Sequence, residues 1–268
     1  MIEEQIVPIT NISEASAREF KKEFIPYGWL IILGGGALDV ALFYFYGGWN
    51  PLFDSWGLVL FLAPWVGVFM WYGNVAGRVR ERFWKEFASA RGWVYEENRN
   101  GSGEKAILFR QGNDRTVHHA IRGEYNGFPF SIFEYEYSVR SGRHKTTYHY
   151  LIFEVKFRGA FPHLYLNNIT NGDYISFGDK LFLPKLSLPS QFEKKFILYA
   201  PKQYEIEALE IFSPDVLDFF LTEKWPHDLE LTEGELIIAR PHRVNSTEEL
   251  ETELQSVRKL VDRLSPTL

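Results

Sequence analysis

Four histidines in the middle of the chain are the residues best suited to chemistry by their type. A histidine can act as a general acid or base, or bind a metal ion. Adjacent residues of a strand point to opposite faces, and so do residues five apart. Only one of His118 and His119, and only one of His144 and His149, can therefore contribute to a shared site. A two-histidine metal or phosphate site across neighbouring strands is one hypothesis, and scattered surface histidines are the other. The four are His118, His119, His144 and His149.

The remaining sequence contains no recognised catalytic signature. It has no phosphate-binding loop ending in Gly-Lys-Ser or Gly-Lys-Thr, no nucleophile elbow and no His-Glu-x-x-His motif. It also contains no cysteine, which is compatible with a reducing compartment. We therefore predict no catalytic residue, no metal site and no cofactor.

Basic residues surround a turn between two of the alternating segments. Ser141-Gly142 marks this turn, and Arg140, Arg143 and Lys145 lie beside it. The hairpin tip is expected to contact an acidic partner or lipid headgroups. The alternative is a solvated tip, because connecting segments usually lie at the surface.

Alternating apolar and polar residues predict the sheet that positions these side chains. Residues 131–137 alternate aromatic side chains with Glu134 and Glu136, and residues 151–157 alternate in the same way. Asn126-Gly127 between two such segments is typical of a tight hairpin. The predicted strands are residues 93–97, 105–111, 116–125, 128–138, 146–157, 181–188, 192–201, 228–232 and 235–241.

The C-terminal third adds helices to this sheet. Residues 203–212 and 214–221 are predicted helices, the second with Ser213 as its cap. Apolar residues recur at helical spacing from Leu250 to Leu264, and this stripe is expected to pack on the sheet. The fold class is therefore α+β, with a mainly antiparallel β domain and C-terminal helices.

Two apolar runs dominate the N-terminal part, residues 27–46 and 56–76. About 20 apolar residues suffice to cross a membrane as a helix, and both runs reach that length. A short Gly, Asn and Pro loop joins them. We therefore expect a two-helix transmembrane hairpin, the alternative being a buried helical hairpin of a soluble protein.

Basic residues flank the two runs, whereas the loop between them has none. By the positive-inside rule, both termini are expected in the cytoplasm, with the chain as a multi-pass protein of the inner membrane. Arg78, Arg80 and Arg82 are candidates for lipid headgroup contacts, or they serve only as the topological signal. The flanking residues are Arg18, Lys21, Lys22, Arg78, Arg80, Arg82 and Lys85.

Asp39 is the one charged residue within the two apolar runs. An aspartate near the centre of a membrane helix costs about 2.5 to 3.5 kcal/mol, so it needs a partner or access to water. A hydrogen-bond donor on the second run, protonation, or another subunit would supply the partner. Gly34, Gly35 and Gly36 lie one turn away and would allow another helix to approach.

These patterns divide the chain into four parts. Residues 1–26 are an amphipathic cytoplasmic lead-in with Ser16 and Glu19 as a capping box, 27–76 the membrane hairpin, 77–92 a juxtamembrane helix ending at Gly92, and 93–268 the cytoplasmic domain. The net charge of −6 argues against a nucleic-acid-binding protein.

Two C-terminal segments carry a resemblance to a known family. They are FEKKFILYAPKQYEIEALEIFSPDVLDFFL, residues 192–221, and DLELTEGELIIARP, residues 228–241. Both resemble the C-terminal box of an uncharacterised family of bacterial membrane proteins, a domain of unknown function. That family is similar in outline over most of the chain, with two N-terminal membrane segments and an aromatic-rich β region. The resemblance implies association with LemA-like membrane proteins and transfers no catalytic residue.

The expected function is a non-catalytic, membrane-anchored interaction or scaffold module. Its expected partners are the lipid bilayer and another membrane protein or a second copy, with no nucleic acid. Two alternatives are a membrane-surface enzyme that uses the histidines, and a pore or transporter component that uses Asp39.

Overall fold

The computed structural model describes residues 8–45, 55–98, 106–159, 161–170 and 183–265. It divides into two compact units: Met1–Glu86 with Asn245–Thr247, and Phe87–Val244 with Glu248–Leu268. We call them the helical unit and the sheet unit. The predicted loop between the apolar runs lies almost entirely outside the described residues.

Two long helices make up most of the helical unit. They are α1 (Ile12–Phe45) and α2 (Ser55–Ser89). Residues 12–26 of the lead-in and residues 27–45 of the first apolar run, predicted as separate segments, form one continuous helix that contains Pro26. α1 begins one residue after Asn11, whose Oδ1 accepts the N–H of Glu14 at 3.1 Å. The predicted capping role of Ser16 is wrong, because its hydroxyl donates back to the carbonyl of Ile12 at 2.7 Å.

The helices run antiparallel, as their contacts show. Arg82 pairs with Glu19, and Arg78 pairs with Glu23 at 2.6 Å. Further along, a Cβ placed on Gly35 would lie 3.2 Å from the side chain of Pro64. Residue numbers rise along α1 as they fall along α2, so the two elements pack as a hairpin.

Among the described residues, one helix is long and apolar enough to cross a membrane. It covers Ile12–Ala41, and only 6% of its most apolar window is buried. The expectation of two membrane helices is thus supported for one of them. The structure leaves the surface of that helix open, unlike the core helix of a soluble protein, whose apolar side chains are covered.

An eight-stranded sheet, in which neighbouring strands pair antiparallel, forms the sheet unit. The strand order is β1-β2-β3-β4-β8-β7-β5-β6. The strands are β1 (Val94–Asn98), β2 (Asn113–Tyr125), β3 (Phe128–Ser141), β4 (His144–Lys156), β5 (Leu164–Asn168), β6 (Phe196–Tyr199), β7 (Asp228–Thr232) and β8 (Glu235–Pro241). The large antiparallel sheet confirms the α+β class.

Hairpin turns lie where the sequence predicts them. Asn126 and Gly127 both have positive φ angles, +51° and +81°, as a two-residue turn of type I′ requires. Gly142 sits at +61° between β3 and β4, and Gly234 at +89° between β7 and β8. A Cβ on Gly234 would also lie 2.8 Å from the carbonyl of Gly159, so this turn needs glycine on both grounds.

Beyond α1 and α2, the described residues form four α-helices: α3 (Ser190–Glu193), α4 (Glu205–Ile211), α5 (Pro214–Thr222) and α6 (Thr247–Leu264). The apolar stripe of α6 is buried, as predicted, and Tyr125 at the end of β2 donates to Asp262 of this helix at 2.8 Å. Ser213 is the N-cap residue of α5, as predicted, although its side chain makes no capping hydrogen bond.

Three strand predictions are wrong in part. Residues 106–111 form bends and a 3-10 turn (Leu108–Arg110) rather than a strand. Residues 183–188 make one isolated bridge, from Lys185 to Tyr199. The segment from Phe192 begins as α3 before β6. The buried strand β5 was missed, because five residues are too short to show a clear alternation.

Candidate functional site

The β3–β4 hairpin carries two of the four predicted histidines, His144 and His149, and the three basic residues Arg140, Arg143 and Lys145. Its register pairs Glu136 with His149 and Arg140 with Lys145. Residues 139–148, which we call the arm tip, are exposed throughout. The candidate site therefore has two parts: an ionic cluster at Glu136 and the basic tip beyond it.

Glu136 is the centre of the ionic cluster. Its carboxylate lies 3.1 Å from Nδ1 of His149 and 3.6 Å from Nε2 of His118, and it accepts a 2.7 Å hydrogen bond from Arg243. Arg243 also reaches the buried carboxylate of Glu134, with 3.7 Å between its Nε and Oε2. The cluster thus joins β2, β3, β4 and the segment after β8.

Burial is the main influence on the pKa of His149. It lowers the pKa of the imidazole below its ordinary value, and the positive charge of Arg243 lowers it further. The carboxylates of Glu136 and Glu134 act in the opposite direction. His149 is therefore mainly neutral at neutral pH, and the positive charge opposite Glu136 comes from Arg243.

The other two predicted histidines lie apart from this cluster's carboxylate. Nδ1 of His119 is hydrogen-bonded to the hydroxyl of Tyr95 at 2.9 Å, and His144 is exposed in the arm tip. A bulge between His118 and Ile121, with His119 at a φ of +52°, breaks the alternation on which the sequence argument relied. One histidine from each close pair reaches Glu136.

Metal binding has little support in this arrangement. Within the described ranges, no group of three or more histidine, cysteine or acidic side chains is placed to hold a metal ion. At Glu136, the guanidinium of Arg243 occupies the carboxylate oxygen that also faces His149. The cluster is therefore suited to tying strands together, and a histidine and a carboxylate there could also exchange a proton.

Tyrosines cover the opposite face of the same hairpin. The ring of Tyr137 stacks on those of Tyr148 and Tyr150, with centroids 5.2 and 5.9 Å apart. Burial raises the pKa of Tyr135, Tyr137 and Tyr150 above the ordinary value of a phenol. These hydroxyls remain protonated at neutral pH, and the stacked rings pack along the arm.

The arm tip has an excess of positive charge. Lys145 pairs with Asp114 at 2.8 Å, and this hydrogen bond holds the pKa of Asp114 below its usual value. Arg140 and Arg143 form no ion pair with any residue in the described ranges. Two guanidinium groups at the end of a hairpin can bind carboxylates or phosphates on another molecule.

The comparisons with known proteins add only a distant likeness. No protein-family model matches the chain. No curated protein matches it. It is similar to the crystal structure of the mycobacterial trehalose monomycolate transport factor A, TtfA, with 13% sequence identity and a TM-score of 0.46, over 68% of this chain and 93% of that chain. A likeness this distant carries no argument about function, and the resemblance to the uncharacterised family stays a prediction.

The predicted membrane-side residues lie in the helical unit. Arg78 and Arg82 pair with glutamates of α1, and Arg80 lies between them on α2. Asp39 is partly buried on α1, and its Oδ1 has no hydrogen-bond partner among the described residues. The ion pairs bring Arg78 and Arg82 into contact with α1, which the sequence alone did not indicate.

The sequence reading missed a buried carboxylate, Glu230, and a partly buried one, Glu253. Glu230 has no exposed surface; it accepts the N–H of Ile107 at 2.7 Å and contacts Nε2 of His163 at 2.5 Å. Glu253 of α6 bonds buried His227 at 2.6 Å and Arg240 at 2.8 Å. Burial opposes ionisation of Glu253, but these two partners outweigh it and lower its pKa. Local patterns do not reveal such partners, because they are distant in sequence.

Proposed function

We propose that the chain is a membrane-anchored interaction module, with the helical unit as a two-helix membrane anchor. The sheet unit is held at the cytoplasmic surface and offers the arm tip to a partner. The observation that carries this proposal is the open apolar surface of α1 and α2.

Exposed apolar side chains are concentrated on the helical unit. Its most exposed examples are Tyr44 at 82% and Phe69 at 76%. A soluble protein rarely exposes apolar patches of more than a few hundred Å². The large exposed apolar residues of the two helices are Ile25, Tyr27, Trp29, Leu30, Ile32, Leu33, Leu38, Val40, Tyr44, Leu62, Trp65, Val66, Phe69, Met70 and Tyr72. Lipid chains are the natural cover for such a surface.

A collar of rings and charges supports a membrane boundary at one end of the helix pair. Glu23 accepts a hydrogen bond from the indole of Trp71 at 2.9 Å and pairs with Arg78. Phe20 packs edge-on against Trp71 and Tyr72, with centroids 5.8 and 5.2 Å away. Aromatic rings with polar groups favour the headgroup region, so the apolar segments beyond the collar are suited to the hydrocarbon.

We extend the anchor to both helices because α2 carries no charge across its apolar run. Residues 56–76 contain no charged side chain. Since α1 and α2 pack antiparallel, a crossing by α1 would carry α2 across with it. The basic flanks place both termini in the cytoplasm under this proposal.

The interaction role rests on the arm tip. It projects Arg140 and Arg143 on a hairpin with stacked tyrosines, an arrangement suited to contact. In the ionic cluster, a single carboxylate is shared by Arg243 and two histidines, which suits a structural tie better than a catalytic base. Association with LemA-like membrane proteins is one form that such contact could take.

The experiment that tests the anchor is extraction of isolated membranes. The full chain is expected to remain in the membrane pellet after a wash at high salt and a wash at alkaline pH, and to be released only by detergent. Release by either wash would contradict the proposal, because neither breaks the hydrophobic contact of an inserted hairpin.

A further inference from the structure

Two surfaces of the sheet unit have opposite charge and share an unusual exposure of apolar residues. One is the arm tip, with exposed Val139 and Tyr148. The other is the outer face of α4 and the residue before it, with exposed Tyr204, Ile206 and Leu209. Among the large exposed apolar residues described in the sheet unit, only Val94 and Ile169 lie elsewhere.

Acidic residues surround the apolar face of α4. The helix reads Glu-Ile-Glu-Ala-Leu-Glu-Ile, and Glu205, Glu207 and Glu210 are all exposed. None of these glutamates forms an ion pair with a residue in the described ranges. Ile206 is 72% exposed at the centre of this surface. An acidic rim around an exposed aliphatic centre fits a partner that is basic and apolar.

We propose that the arm tip of one copy of the chain docks on α4 of a second copy. Val139 and Tyr148, which share one face of the hairpin, would cover Ile206 and Leu209. Arg143 in the turn and the long side chain of Arg140, which starts from the other face, would reach the glutamates of α4. The pairing removes exposed apolar area and matches charges of opposite sign, the two features that give an interface its affinity and its specificity.

The sheet topology favours a second copy over a contact within one chain. β8, β7 and β5 lie between β4, which carries the tip, and β6, which leads to α4. Strands lie about 4.8 Å apart, so β4 and β6 are separated by about 19 Å in one sheet. A neighbouring copy can meet each surface without any change in the sheet.

This contact rests on the proposed function, because anchoring makes a weak contact effective. Charged pairs at an exposed interface contribute about 0.2 to 1 kcal/mol each, which is too little for dimerisation in dilute solution. Copies held in one membrane meet at a high effective concentration. The contact would therefore form mainly in the membrane.

Cysteine crosslinking tests this contact cleanly because the chain contains no cysteine. Two differently tagged full-length chains, one with Ser141→Cys in the arm tip and one with Gln203→Cys beside α4, are produced in one membrane and treated with a short bis-maleimide. Both positions are exposed, and neither carries a side chain of the proposed contact. Ile169→Cys, at another exposed position of the sheet unit, replaces Gln203→Cys as the control. We expect about tenfold more mixed-tag product from the first pair than from the control pair, equivalent to about 1.4 kcal/mol. Equal yields would overturn the proposal.

An exchange of charges between the two surfaces provides a second test of the contact. Glu207→Lys with Glu210→Lys should reduce the mixed-tag product, and Arg140→Glu with Arg143→Glu should do the same. Combining the first pair on one chain with the second pair on the other should restore it. A yield that the exchange fails to restore would contradict the proposed pairing.

The outcomes separate this inference from the anchor. If the chains stay in washed membranes but give no specific crosslinks, the contact is refuted and the anchor is not. Chains that wash off the membrane refute the proposed function. If the arginine exchange instead weakens binding to vesicles of anionic lipid while crosslinks stay at the control level, the tip binds lipid and the proposed contact is wrong.

Discussion

A chain with Leu33→Arg and Val40→Arg is expected to fail to insert into the membrane. Both side chains are exposed on α1, at 62% and 68%, near the middle of the apolar run. An arginine near the centre of a membrane helix costs about 2.5 to 3.5 kcal/mol, so two cost about 6 kcal/mol. The measurement is the fraction of the chain that remains in alkaline-washed membranes.

The matched control moves the same change to the end of the run. Ile25 and Tyr27 are equally exposed, at 62% and 63%, but lie next to the basic flank, where arginine reaches the headgroups. Ile25→Arg with Tyr27→Arg should leave membrane retention nearly unchanged. If α1 faced water instead, all four changes would be surface substitutions within about 0.5 kcal/mol. Equal retention of both double variants would therefore contradict a membrane position for α1.

The second large effect, a loss of folding stability, is expected for Glu230→Ala. This buried carboxylate contacts His163 and accepts the N–H of Ile107 in the turn before β2. Its removal leaves a buried donor and a histidine without their acceptor, and breaking a buried pair in this way costs about 3 to 5 kcal/mol. Denaturant unfolding of the full chain in detergent, followed by tryptophan fluorescence, should show a correspondingly lower midpoint.

Glu235→Ala is the matched control on the neighbouring strand. Glu235 pairs with Lys156 at 3.1 Å, and the lysine side chain is about half exposed. An exposed pair contributes about 0 to 1 kcal/mol, so this variant should unfold close to the parent chain. A Glu230→Ala midpoint as mild as that of Glu235→Ala would show that Glu230 does not hold the turn in place.

The sequence patterns that predicted the fold well were local ones. Asn126-Gly127 specifies its turn by two residues that accept positive φ, and strict alternation specifies β3 and β4. Each of these signals acts over a few residues. For that reason they are readable without any knowledge of the tertiary structure.

Other elements depend on partners distant in the chain. α1 continues through Pro26, where the sequence suggested a boundary. Residues 106–111 have strand-like composition, yet they turn because Glu230, far along the chain, accepts their backbone N–H groups. The ionic cluster likewise needs Arg243, which lies 107 residues from Glu136. Spacing along the sequence cannot report such contacts.

The most direct test of a membrane-spanning hairpin is labelling of a cysteine between the two helices. In a chain without other cysteines, an Asn50→Cys variant should react with a membrane-impermeant maleimide added to intact spheroplasts. A Glu207→Cys variant, altered on the sheet unit, should react only after the membrane is opened. That result is what a crossing by both helices with cytoplasmic termini predicts. Protection of the Asn50→Cys variant until the membrane is opened, or labelling of the Glu207→Cys variant in intact spheroplasts, would contradict it.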